Sequence, residues 1–237
     1  MSDAGGGGPA EGGGQAAVLR TLLVLTLVSG MVDAVSYLGL GRVFTANMTG
    51  NVVVLGFAAA GAAGFSAPAS LTSLGAFLLG AVCAGRLATR VASRSRLLAL
   101  IMAIEAILIG VAATVAFLAT TIASGSGRYT VIGVLGFAMG VRNATVRRIA
   151  IPDMTTTVLT MTLTGLAADS FLAGGTSERT GRRASSVAAM LIGAFAGAAL
   201  YLHIGPGMPL VIAAVVVAGA VTAFRLSSAP HMLDAPR

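Results

Sequence analysis

The sequence predicts an all-α, polytopic helical membrane protein of about six transmembrane helices plus two re-entrant or broken helical segments, arranged as an inverted internal repeat. Three observations carry that expectation. Mean hydropathy is +0.93 over 237 residues and only 10% of them are charged, whereas a soluble domain carries about 25%. Most of the surface must therefore meet lipid, which excludes a soluble enzyme. The apolar residues fall in runs of about 20, the length that crosses about 30 Å of hydrocarbon as a helix. Two polar, glycine-bearing segments then interrupt the pattern at corresponding places in the two halves.

The first 17 residues are Gly-rich and carry no basic residue ahead of Arg20. They lack the positive start of a signal peptide and read as a flexible tail. A first span is expected over 18–40. It runs into VFTANMTGN, where Asn47 or Thr49 can cap a new helix and Gly39, Gly41 and Gly50 let the backbone turn. A short apolar segment follows over 48–64, then spans at 71–91 and 97–120. The second half repeats this order, with a span at 129–148, a polar break at IPDMTTT, a short segment at 155–173, and spans at 185–205 and 208–226. Pro152 suits a helix break just before Asp153. Residues 18–226 thus form one transmembrane domain, with repeat one at about 18–120 and repeat two at about 129–226. Residues 227–237 are a short polar tail.

The net charge is +7 and every basic residue is Arg. If both short segments leave by the side they entered, Arg20, the cluster at 86–96, Arg147, Arg148, the cluster at 179–183 and Arg225 share one side. Arg42 and Arg128 lie on the other. The positive-inside rule makes the richer side cytoplasmic and puts both termini there; eight full crossings would split the clusters. No basic patch with interleaved aromatics is present, so nucleic acid is not an expected partner.

The two interruptions align. Gly30, Asp33 and Ala34 match Gly140, Asn143 and Ala144, and Asn47-Met48-Thr49 matches Asp153-Met154-Thr155. Three spans per half give the halves opposite orientations, an arrangement common in secondary transporters. Ionisable groups inside spans are costly and either mark function or pair internally. Asp33, Asn47, Thr49, Asn51, Asn143, Asp153 and Thr155 are the candidate lining of a substrate or ion path, with Arg42, Arg142 and Glu105 as charge partners. The structural alternative pairs Asp33 or Glu105 with Arg42 or Arg142 merely to hold spans together. Thr156, Thr160 and Thr164 share a helix face, and Asp169 reads as solvated. Gly193–Gly197 and Gly136–Gly140 have the spacing of close helix packing. Cys83, the sole cysteine, reads as a small buried hydrophobe. One cysteine and two distant histidines make no metal site, and no nucleophile and base are placed together. Neither a cofactor nor an enzymatic activity is expected.

The stretches GMVDAVSYLGLGRVFTANMTGNVVVLG and GVRNATVRRIAIPDMTTTVLTMTLTGLAAD resemble the YoaK family of bacterial membrane proteins, a domain of unknown function. The resemblance covers residues 18 to 226. It implies a multi-pass protein of the bacterial inner membrane and brings no activity with it. The expected function is a small-solute or ion transporter or channel-like protein, with a scaffold or sensor subunit as the alternative. Partners would be the lipid bilayer, an unidentified small solute or ion, and, in a homo-oligomer, further copies of the chain. Helix N-termini and arginine favour an anionic substrate, and the acids favour a cation or proton.

Overall fold

The computed structural model describes residues 9–118, 125–149, 159–175 and 180–227. These form α1 (Pro9–Gly39), α2 (Met48–Ala59), α3 (Ala67–Arg90), α4 (Arg94–Leu118), α5 (Ser126–Ile149), α6 (Leu159–Ala168), α7 (Thr180–His203) and α8 (Gly207–Leu226). A single 3-10 turn lies at Phe171–Ala173, and no strand occurs among the described residues. Helices α1, α3, α4, α7 and α8 are long and apolar enough to cross a membrane. α5 has the length of a span, 24 residues, but Arg142, Asn143, Arg147 and Arg148 make it less apolar. α2 and α6 have 12 and 10 residues. At about 1.5 Å per residue they reach little more than half way across.

Local chemistry sets several helix ends. The Ser66 hydroxyl accepts from the Ala69 amide at 3.4 Å to cap α3, with Pro68 in the first turn. Pro206 stands at the head of α8. Two boundaries differ from the sequence expectation. α1 already begins at Pro9, so the later part of the expected tail is helical. The second short helix starts at Leu159, while Asp153, Thr155 and Thr156 lie outside the described residues.

Glycines bring the backbones together. A Cβ on Gly193 of α7 would overlap the Leu27 carbonyl of α1, and one on Gly30 would overlap the Met190 carbonyl. The α3–α5 pair repeats this contact, with Gly80 against the Phe137 carbonyl and Gly140 against that of Phe77. Gly136 and Gly197 extend the two stripes, against Ser73 and Met31. As α5 advances from Gly136 to Gly140 its neighbour on α3 advances from Ser73 to Phe77, so these helices run parallel, as do α1 and α7. α5 runs opposite to α1, because Arg128 at its start reaches the Leu40 carbonyl and Arg142 further on reaches that of Leu25. α3 is therefore antiparallel to α1, and α2 between them does not carry the chain across the bundle. The same argument holds for α6, between α5 and α7.

The core lies along α1, α4, α5 and α8, with Leu25, Val32, Met102, Ile109, Leu135 and Leu210 fully enclosed. Buried residues make up 67% of the most apolar stretch of α1 and 17% of that of α7, which makes α1 an inner helix and α7 an outer one. Outward faces stay apolar, with Leu78, Leu79 and Val82 on α3 and Leu191, Ile192 and Phe195 on α7 exposed. Cys83 shares the outward face of α3 and is exposed rather than buried, since an apolar residue here has lipid as an alternative to the core.

Gly140→Val should lower stability by about 1–3 kcal/mol through overpacking against Phe77. Gly85, around which a Cβ meets nothing within 4 Å, should tolerate Ala with no loss. Thermal unfolding of the purified protein in detergent compares the two.

Candidate functional site

Two polar constellations occupy the interior. The first centres on Arg142 of α5, which is fully buried beside Glu105 of α4, also fully buried. One terminal nitrogen donates to the Glu105 carboxylate at 2.8 Å and to the Leu25 carbonyl at 2.9 Å. The other donates to the Ser29 hydroxyl and contacts the Met139 sulfur. This one guanidinium joins α1, α4 and α5. Glu105 Oε2 and Arg142 Nε have no hydrogen-bond partner among the described residues, which leaves the pair incompletely compensated there.

The second constellation is built where α1 gives way to α2. Gly41 and Arg42 both take positive φ, +88° and +57°, and the chain folds back along α1. Asp33 Oδ1 accepts from the amides of Thr45 at 2.9 Å and Ala46 at 2.8 Å. Asn51, fully buried on α2, holds Phe44 from both sides: its carbonyl accepts the Phe44 amide at 2.8 Å and its amide donates to the Phe44 carbonyl at 2.6 Å. Ser73 of α3 donates to the same carbonyl at 2.7 Å. Asn47 caps α2 by accepting from the Gly50 amide at 3.3 Å. These contacts satisfy a non-helical backbone that has no water to turn to at membrane depth.

Asp33 Oδ2 takes no hydrogen bond among the described residues, and Asp33, only 4% exposed, lines a cavity of about 650 Å³. Asn47, Thr49 and Gly50 form its polar wall, and Tyr37, Phe44, Phe57 and Phe65 form an aromatic one. Leu159 and Thr160 at the head of α6, with Met190 of α7, close the other side. The cavity therefore draws on both halves of the chain.

Of the residues singled out in the sequence, Asp33, Asn47 and Thr49 meet at this cavity. Asn51 sits behind it as the clamp on Phe44. Asn143 is half-buried on α5 and donates to the Met139 carbonyl at 2.8 Å, while Asp153 and Thr155 lie outside the described residues. Glu105 and Arg142 pair with each other. Arg42 is exposed, lies 5.4 Å from the centre of the Phe65 ring and meets no carboxylate among the described residues. Asp169 is not merely solvated, because Arg183 donates to it at 2.6 Å. Thr160 reaches the cavity, whereas Thr164 donates to the Thr160 carbonyl at 2.9 Å. The aromatic wall was missed. Its signal was local concentration: of nine Phe and three Tyr in the chain, four fall between residues 37 and 65 and all four line the cavity.

Long apolar helices with outward apolar faces, packed around buried ionisable groups and a broken segment, define a multi-pass helical membrane protein. Residues 21–223 match the family described as "Protein of unknown function (DUF1275)". The chain belongs to that family. A relative, the "UPF0700 transmembrane protein YoaK" of Bacillus subtilis (strain 168), is 33% identical over 157 residues, covering 65% of this chain and 68% of the relative. No solved structure matches the chain.

Two substitutions probe the two constellations. Arg142→Met alone should cost about 3–5 kcal/mol, because it strands the buried Glu105 carboxylate. Adding Glu105→Leu should recover much of that loss, and a double-mutant cycle on unfolding free energies measures it. Asn51→Leu should cost about 1–3 kcal/mol, since the Phe44 amide loses its acceptor while the Phe44 carbonyl keeps Ser73.

Proposed function

We propose that the protein is a small-solute or ion transporter, or channel-like protein, of the bacterial inner membrane, with its path passing through the cavity between α2 and the head of α6. The observation that carries this reading is the buried carboxylate of Asp33, one oxygen unpartnered, in a cavity lined by both halves of the chain. Binding sites at the junction of repeats, built from discontinuous helices, are the common design of secondary transporters.

An inverted repeat is part of the proposal, pairing α1–α4 with α5–α8. It is supported by the reciprocal glycine contacts of α1–α7 and α3–α5. It is supported as well by burial, which follows the same position-by-position pattern over residues 21–32 and 131–142. The helix directions gather Arg20, Arg86, Arg90, Arg147, Arg148, Arg182 and Arg225 at the end where α1 begins. The positive-inside rule assigns that end to the cytoplasm, with both termini. A reporter fused after Gly175 should then read cytoplasmic, and a periplasmic signal would overturn this topology.

A scaffold or sensor subunit is favoured by a different observation: Asn51, Arg142 and Glu105 direct their hydrogen bonds to other parts of the chain. Uptake of a solute panel into proteoliposomes separates the two. Transport predicts flux above that of empty vesicles for at least one solute, reduced by about tenfold or more in Asp33→Asn, the scale expected when a site loses its charged partner. Background flux for wild type and variant alike would favour the scaffold.

A further inference from the structure

The cavity has a chemistry that narrows its ligand, and the inference rests on the transport reading of the same site. We propose that it binds hydrophobic organic monocations, such as protonated amines and quaternary ammonium compounds, with Asp33 as counter-ion and the rings of Tyr37, Phe44, Phe57 and Phe65 as the apolar wall.

The sign follows from which groups are already engaged. Among the described residues lining the cavity, Asp33 alone carries a formal charge, and no arginine or histidine lines it. Part of the positive end of α2 and the loop before it is already committed. The amides of Thr45 and Ala46 go to Asp33 Oδ1, that of Gly50 to the Asn47 side chain, and that of Asn51 to the Asn47 carbonyl. Arg142, the nearest deeply buried cation along the chain from this region, is held by Glu105, Leu25 and Ser29. An anion entering the cavity would meet the acidic side chain of Asp33 at its wall. A cation would be drawn to it.

The body of the ligand follows from the walls. Tyr37 and Phe44 stack with centroids 4.9 Å apart, and Phe57 and Phe65 meet edge to face at 5.4 Å. Aromatic faces attract cations most strongly where water is scarce. The Arg42 guanidinium, which does not line the cavity, already lies over the Phe65 ring. A cation as small as sodium would want several oxygen ligands, whereas most of this wall is carbon: Val53, Val54, Leu159 and Met190 complete it. A volume of about 650 Å³ is in the range that holds drug-sized molecules.

The test is equilibrium binding of tetraphenylphosphonium to the purified full-length protein in nanodiscs. Protein-free discs serve as baseline, and tetraphenylborate is the probe of matched size and opposite charge. Saturable binding of the cation is expected, with none of the borate beyond baseline. Asp33→Asn keeps an oxygen for the Thr45 and Ala46 amides but removes the charge, and should weaken cation binding on the order of tenfold or more. Phe57→Leu, at a half-exposed wall position, should weaken it about threefold. A thermal unfolding midpoint equal to wild type certifies that each variant is folded. Equal affinity for the two probes, or cation binding unchanged in folded Asp33→Asn, would overturn the proposal. Because this readout needs no flux, Asp33-dependent binding without uptake in proteoliposomes would support the ligand class while refuting transport. Uptake of a solute with no cation binding would do the reverse.

Discussion

Between Leu40 and Asn47 the backbone leaves helical geometry beside a bundle whose outer surface is apolar, and its exposed amides and carbonyls must be satisfied from within. The Asp33 carboxylate, accepting from Thr45 and Ala46, is the contact on which this depends. It fixes where the chain folds back along α1 and hence where α2 begins. Asn51 and Ser73 then hold Phe44, which ties the returning segment to α3. The cavity is the space left beside this fold-back, and Asp33 is also part of its lining. Architecture and candidate chemistry therefore share one side chain.

The long helices around it are held by two different means. Along α1–α7 and α3–α5, glycine lets the backbones touch, so packing depends on close approach where lipid supplies no hydrophobic drive between helices. Across α1, α4 and α5 the buried Arg142–Glu105 pair with its Leu25 and Ser29 contacts sets the register. Such a pair adds little net stability compared with well-packed apolar residues, because both charges lose their hydration. Its use is selective: a rotated or shifted α5 would strand two charges in the core.

The spans were legible because lipid imposes length and apolarity on every crossing helix. The glycine stripes at Gly136–Gly140 and Gly193–Gly197 were legible because their spacing has a single geometric use. The polar network was less so. Arg42 lies close to Asp33 in sequence and looked like its partner, yet Asp33 is answered by backbone amides 12 and 13 residues ahead, a role that leaves no residue-type signature. The Glu105–Arg142 pair spans 37 residues and stood as one of several pairings until helix directions selected it. The aromatic wall was hidden by composition, since a phenylalanine in an apolar chain looks the same whether it faces lipid, core or cavity. Cys83 illustrates the same ambiguity in the outward direction.

The proposed repeat is most informative where it fails. Val32 corresponds to Arg142 and Asp33 to Asn143, although the helices bearing them are buried in nearly the same pattern. Adjacent positions on a helix differ by about 100° of rotation. Positions 32 and 142 thus turn into the core, where Arg142 finds Glu105 and Val32 finds apolar neighbours, while Asp33 turns toward the cavity. Two acids in the symmetric places would set like charges on either side of one axis. With Asn143 in place of a second acid and Arg142 committed to Glu105, Asp33 is left as the formal charge at the cavity wall among the described residues. Under the proposed repeat, a duplicated framework with charges that are not duplicated would give two-sided access to a site carrying a single counter-ion.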